Sequence, residues 1–315
     1  PLQFALVSDL IATHHSTVTE DQIEHLGHMN VRYYGANARK GTLALLGKLG
    51  HDARVDLDLY DVYTRHHREQ LLDAPLVVTS GVLAVDTQRL ELYHELRNAE
   101  TEVLAATFVH RLSAPSTLGA GAPLPPALVA AAASSTIGLP AHGQARSVSL
   151  DGDPLAFLPP LTELIGRDLA MRRVRTIQPS ECDPDGVFRI DDAPGLTWDG
   201  EPLVEIEEYD DWLTDGPNGE RMGWASMETR MVIRRLPSAG DRVQSFAATV
   251  GIGEKVSHRV YWVYDIERGD MLTCYEVVGL AFDTRTRQAM VIPPHAREHE
   301  ESVMHPDLFH ATYTS

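Results

Sequence analysis

Cysteine is nearly absent from this chain of 315 residues. Cys182 and Cys274 are the only two, they lack CxxC spacing, and together they exclude a disulfide framework and suit a reducing compartment. Also missing are any apolar run of about 18 residues that could cross a bilayer as a helix and any N-terminal signal pattern, so the expected location is the cytoplasm. Basic charge is scarce too. Lys and Arg number 27 against 45 Asp and Glu, for a formal net charge of −18, so the chain as a whole should repel nucleic acid and anionic membranes. Local arginine groups remain at Arg172, Arg173 and Arg175 and at Arg234 and Arg235, able to meet a phosphate-bearing ligand or simply to be solvated strand residues. The rest is ordinary: 43% hydrophobic and 23% charged residues suit a globular protein with a sizeable core, and the length suits about two domains.

The pattern along the chain repeats. A short strand-like stretch, THHSTVTE, starts at Thr13. Val31, Tyr34, Ala38, Leu45 and Leu49 then share one face of a helix, with Gly50 placed to end it. Four strand-like runs follow, at 57–71, 76–85, 89–96 and 103–112. In the third, Leu90, Leu92, His94 and Leu96 alternate with polar neighbours, so one apolar face is broken only by His94. From about 113 to 170 the composition turns to Ala, Pro, Gly and Ser, as in APLPPALVAAAASSTIGLP; this is the linker, and its Leu/Val/Ala part has the character of a helix packed on a domain. The second half repeats the order: a strand at 172–178, a segment of mixed helical potential up to 215, and runs at 224–236, 242–252, 256–265 and 271–282. The expected division is a tail at 1–12, domains at 13–112 and 171–290 separated by the linker, and a second tail at 291–315.

Residues 24–34 read EHLGHMNVRYY and resemble the D-x-x-G-H-M/V-N-x-x-Y signature of hot-dog thioesterases of the 4-hydroxybenzoyl-CoA thioesterase type. Residues 181–187 read ECDPDGV, similar to the C-D-P-x-G-I/V form of that signature. Asp183 lies 159 positions after Glu24, and Gly186 lies 159 after Gly27. The resemblance implies an α+β double hot-dog, two helices each wrapped by an antiparallel sheet and paired as a pseudo-dimer. Both halves depart from the signature: Glu24 stands where Asp is usual, and Val187, Phe188 and Arg189 stand where the first half has His28, Met29 and Asn30.

By this resemblance the activity is hydrolysis of an acyl-CoA or acyl-carrier-protein thioester, and further homodimerisation is compatible with it. Thioester hydrolysis needs a carboxylate acting as nucleophile or as base for water, and donors aimed at the developing oxyanion. Glu24 and Asp183 are the candidate carboxylates, with His28 and Asn30 as orienting groups. Gly27 and Gly186 would admit the thioester close to the backbone. The first amides of the helices, near Asn30 and Val31 and near Arg189 and Ile190, would form the oxyanion holes. Glu24 carries one methylene more than Asp, which extends its carboxylate by about 1.5 Å and favours a water-mediated base. The first half is the expected working one, because Pro194, Gly195 and Gly200 interrupt the segment where the second helix should lie.

No cofactor or metal is called for. His295 and His299 with Glu298 match the H-x-x-E-H pattern of a zinc-protease family, but the segment reads as a charged terminal helix. The pairs His14-His15, His25-x-x-His28 and His66-His67 supply no convincing set of four ligands. Two other functions suit the same fold. An enoyl-CoA hydratase or dehydratase would need a run resembling G-D-x-N-P-x-H, which is absent, and a non-catalytic acyl-CoA-binding module would need only the pocket.

Overall fold

The computed structural model describes residues 10–24, 26–51, 57–115, 121–151, 159–169, 171–203, 214–215 and 221–309. The chain divides into two compact units, Pro1–Gln144 and Ala145–Ser315.

In the first unit β1 (Ile11–Thr17) precedes the helix α1 (Val31–Lys48), followed by β2 (Asp58–His66), β3 (Pro75–Val85), β4 (Arg89–Asn98) and β5 (Leu104–Ser113). The strands pair antiparallel in the order β1-β3-β4-β5-β2. Asn30 caps α1 by accepting from Arg32 N–H, and Gly50 stands just beyond its end at φ +75°, as the helical spacing and the glycine predicted. Tyr34 and Ala38 of α1 pack with Val78, Leu96, Ala106 and Phe108 of the sheet, where each fully buried large apolar side chain contributes about 1.5–3 kcal/mol. Gly41 lets helix and sheet approach closely, since a Cβ there would lie 2.7 Å from Val78 Cγ1.

The polar break at His94 has a physical explanation. Under α1 a chain of side-chain hydrogen bonds runs from Thr13 through Ser80 (2.7 Å), His94 Nδ1 (2.7 Å), His94 Nε2 to Thr42 (2.9 Å), and Thr42 to His110 Nδ1 (2.8 Å). His94 and His110 are fully buried but partnered, which removes most of the penalty for burying them. Burial holds His94 well below the usual imidazole range and, together with Arg39, pushes His110 down to about 3. The opposite face of the sheet is covered by the segment expected as linker. It forms the helix α2 (Pro126–Ala133) and a 3-10 turn Ala141–Gly143, where His142 Nε2 meets the buried Glu95 carboxylate at 2.5 Å.

In the second unit α3 (Leu161–Gly166) precedes β6 (Met171–Thr176), a one-turn helix α4 (Gly195–Trp198), the short strands β7 (Glu201–Pro202) and β8 (Thr214–Asp215), and β9 (Arg221–Ile233). Then come β10 (Arg242–Ile252), β11 (Val256–Asp265), β12 (Met271–Asp283), β13 (Gln288–Ala289) and the helix α5 (Pro294–Ser302). Strands β6-β10-β11-β12-β9 repeat the first unit's antiparallel order, with β7 added beside β6, β13 beside β12 and β8 beside β9. Leu196 of α4 packs on Val243 and Val263. The helical potential expected up to 215 is realised, among the described residues, as the 3-10 turns Pro179–Glu181 and Ile190–Asp192 and the single turn of α4; residues 204–213 lie outside the described residues. Pro194 and Gly195 sit where a longer helix would have to pass. The H-x-x-E-H segment is the terminal helix α5. Its Glu300 is buried among Arg259, Thr249 (2.7 Å) and Ser257 (3.0 Å).

Candidate functional site

Both signature segments fold into the same turn. Glu24 N–H donates to His28 O (2.9 Å) and Asp183 N–H to Val187 O (2.8 Å); Gly27 N–H donates to Glu24 O (2.9 Å) and Gly186 N–H to Asp183 O (3.0 Å). Asn30 N–H reaches Gln22 O (2.9 Å), and Arg189 N–H reaches Glu181 O (3.0 Å). Gly27 and Gly186 stand at φ +82° and +80°, in the left-handed region where a Cβ is penalised. Each turn follows its strand at the same interval: Thr17 of β1 pairs with Pro75, Thr176 of β6 pairs with Arg242, and Glu24 and Asp183 each lie seven residues on.

The side chains on the two turns differ. In the first, Glu24 Oε1 lies 3.0 Å from His28 Nε2, and Glu69 Oε1 approaches the same nitrogen at 3.4 Å. His28 Nδ1 faces the carbonyl of Met29 at 3.2 Å. Carboxylates and a carbonyl only accept, so this geometry is satisfied by the doubly protonated ring. Burial works against charge on His28, but the hydrogen bond to Glu24, the Met29 carbonyl and the charges of Glu24 and Glu69 outweigh it and raise its pKa. The Glu24 and Glu69 side chains are 21% and 44% exposed, so both can meet water or substrate.

Among the expected donors, the Asn30 amide is committed to Gln22 and the Asn30 side chain to the helix cap. Among the described residues nothing accepts from the Val31 N–H, the first amide of α1. It stands at the positive end of an 18-residue helix, where the dipole favours developing negative charge.

In the second turn Asp183 is exposed and its Oδ1 accepts from Asp185 N–H (3.0 Å) and Val187 N–H (2.9 Å). The carboxylate is thus spent on its own turn. Arg189, in the place of Asn30, folds back onto Asp192 (2.9 Å), Ser180 O and Cys182 O. Ile190, in the place of Val31, opens a three-residue 3-10 turn instead of a long helix. The arginines offered for a phosphate ligand are largely paired inside the unit: Arg175 with Glu181 and Asp199, Arg173 with Gly200 O, and Arg235 with Asp241 and Asp265.

Sequence reasoning missed Glu69. It lies 41 residues after His28, in a run read as strand up to 71, whereas β2 ends at His66. The polar stretch RHHREQ was the available signal, since a strand that continues into six polar residues and then two leucines lacks an alternating apolar face to bury.

Neither a protein-family model nor a curated protein sequence matches the chain. Solved structures do. A protein from Lactobacillus plantarum described as an oleoyl thioesterase is 10% identical with a TM-score of 0.64, over 86% of this chain and 96% of that one. An acyl-ACP thioesterase from Bacteroides thetaiotaomicron is 11% identical with a TM-score of 0.61, over 86% and 98%. The 12:0-ACP thioesterase from Umbellularia californica is 9% identical with a TM-score of 0.62, over 89% and 96%. The fold is therefore the hot-dog fold, present twice in one chain, as the two signature segments implied. Among the described residues, no helix is long and apolar enough to cross a membrane.

Proposed function

We propose that the protein is a thioester hydrolase acting on an acyl-CoA or acyl-carrier-protein substrate, with its working site at the turn before α1. The observation that supports this best is the Glu24–His28 pair, 3.0 Å apart on the turn that leads into α1, whose first amide, Val31 N–H, has no acceptor among the described residues. Glu24 takes a proton from water as the water oxygen bonds to the carbonyl carbon. The Val31 N–H and the helix dipole stabilise the oxyanion. When the tetrahedral intermediate collapses, the C–S bond breaks and His28 delivers its proton to the departing thiolate. The products are the carboxylic acid and the free thiol, and Glu24 returns the proton it gained to His28 across their 3.0 Å contact. Gly27, without a Cβ and with open space around it, lets the thioester approach the turn. No cofactor or metal enters this scheme.

The test is thiol release from a panel of short, long, aromatic and polar acyl thioesters, presented both on CoA and on an acyl carrier protein. Release from at least one member is expected. Tight binding without release from any would leave the acyl-CoA-binding module as the better account.

A further inference from the structure

The α1 side chain that faces the loop after β2 does more than fill space. Tyr34 is 3% exposed and belongs to the core cluster under α1. Its hydroxyl accepts from Gln70 N–H (2.9 Å) and donates to Arg68 O (3.3 Å). These partners are the residues immediately before and after Glu69, so one phenol brackets that residue's backbone on both sides. Gln70 O in turn accepts from Met29 N–H (2.8 Å), tying the loop to the residue after His28. Gln70 Nε2 donates to Glu69 O (2.9 Å) and Asn98 Nδ2 approaches Gln70 Oε1 at 3.4 Å, so the loop is also held from β4. Burial raises the Tyr34 pKa far above the usual phenol range, with the nearby Glu69 and Glu24 charges adding to the effect, so the hydroxyl keeps its proton and its donor role at any working pH.

We infer that Tyr34 is a positioning residue of the site: it fixes the 68–70 backbone so that the Glu69 carboxylate stands at His28 and helps keep the imidazole charged for proton donation. Glu69 shares His28 Nε2 with Glu24, and it comes from a loop whose neighbouring Leu71 and Leu72 are 60% and 48% exposed. Apolar burial does not anchor that stretch; His67 N–H and Arg68 N–H reach Ala105 O of β5 (2.8 and 3.1 Å), Met29 N–H holds Gln70 O, and the buried phenol spans the backbone on both sides of Glu69 between them. The groups facing His28 are Glu24 from its own turn and Glu69 from this loop, with the Met29 carbonyl on the other ring nitrogen. Releasing the loop should therefore act on the imidazole chiefly through Glu69, with the Met29 carbonyl, whose residue is tied to Gln70 O, as the second route.

This inference rests on the hydrolase reading for its kinetic consequence, but its structural content can be tested without turnover. The His28 ring is titrated by NMR in the full-length wild type, Tyr34→Phe, Glu69→Gln and the double variant. Glu69→Gln should lower the His28 pKa by about half a unit, a partly exposed charge acting at short range. Tyr34→Phe should lower it by at least half that amount, and the double variant should fall no further than Glu69→Gln alone. With a substrate in hand, Tyr34→Phe should lower kcat by about 10-fold with KM changed less than about 2-fold, the pattern of a lost transition-state interaction. Phe keeps the ring in the core, and circular dichroism reports its folding. If that variant does not fold, amide exchange in the wild type decides: Gln70 N–H should be strongly protected relative to its exposed neighbours. An unmoved His28 pKa in folded Tyr34→Phe, an unmoved pKa in Glu69→Gln, or an unprotected Gln70 amide overturns the inference. If the wild type releases no thiol while the titrations behave as expected, the hydrolase reading fails and the positioning role stands.

Discussion

At Gly27 and Gly186 the backbone passes through the same left-handed turn with the same hydrogen bonds on either side, but the acid three residues earlier is employed differently in each. Glu24 reaches outward to His28, whereas Asp183 reaches back to two amides of its own turn. The extra methylene of Glu24 disfavours the tight side-chain-to-backbone ring that suits Asp and carries the carboxylate clear of the turn. A repeated backbone can therefore hold one acid at a neighbouring histidine and the same acid class as a brace for its own turn. Among the described residues, the helices behind the turns follow that division, 18 residues in one unit and a 3-10 turn with a single α-helical turn in the other.

The sharpest way to break this comparison is to neutralise both acids. Glu24→Gln should lower kcat by about 10²–10⁴-fold, the range for a general base. Asp183→Asn, which keeps an accepting oxygen for its turn, should stay within about 3-fold of wild type. Thiol release by both variants, with circular dichroism as the check on folding, decides it. Loss of activity in Asp183→Asn alone would move the working site to the second unit.

The next contrast lies beneath the turns. Under α1 the first unit buries His94 and His110; by strand register the second unit has Tyr261 and Val277 in their places. Both histidines are held below the ordinary imidazole value of 6.5 by burial, so below pH 6.5 the unfolded chain binds protons that the folded unit refuses. The stability they provide is complete above that pH and is lost as pH falls, by up to about 1.4 kcal/mol per pH unit for each group. Carboxylates held low by arginines or backbone amides in the second unit, such as Asp265 and Glu300, weaken it only as pH falls through the carboxylate range. All four tryptophans, Trp198, Trp212, Trp224 and Trp262, lie in the second unit. On acidification, far-UV circular dichroism should therefore decline before tryptophan fluorescence responds, and coincident transitions would contradict the assignment.

The long strands were legible in the sequence because each carries several buried side chains between polar turns, whereas the two-residue strands β7, β8 and β13 left no such run. The runs at 242–252 and 256–265 match β10 and β11 to the residue. The signature turns were legible because glycine at a left-handed position and an acid three residues before it are local features. What joins across the sheet was not. Glu69 stands at His28 on a loop held by Tyr34, Met29 and Ala105, and none of these contacts leaves a periodic trace. The covering of the first sheet's second face by residues 126–143 was visible only as an Ala-rich stretch with helical character.

Backbone cost offers a finer comparison. A Cβ built at Gly27 or at Gly186 meets nothing within 4 Å, so alanine at either site pays only for the left-handed conformation, about 1–2 kcal/mol. Gly27→Ala and Gly186→Ala should thus lower stability equally in urea denaturation, while Gly27→Ala alone reduces thiol release. Unequal losses would mean that the two turns carry different strain despite their shared hydrogen bonds.

The smallest expected effect concerns the two amides that Asp183 holds in its own turn. Its Oδ1 satisfies two amides of an exposed turn. Because water can replace an exposed partner, their loss in Asp183→Ala should cost only about 0.5–1.5 kcal/mol. Glu24→Ala removes no bond from its own turn's backbone and breaks a partly exposed pair with His28, so its cost should be smaller, within about 0–1 kcal/mol. The order of stability losses is thus the reverse of the order of activity losses, which general damage to the fold would not produce. Urea midpoints for the two alanine variants, measured at pH 7.5, provide the comparison. If Glu24→Ala proves the more destabilising, Glu24 is as much a brace as Asp183, and the division of labour between the two turns loses its physical basis.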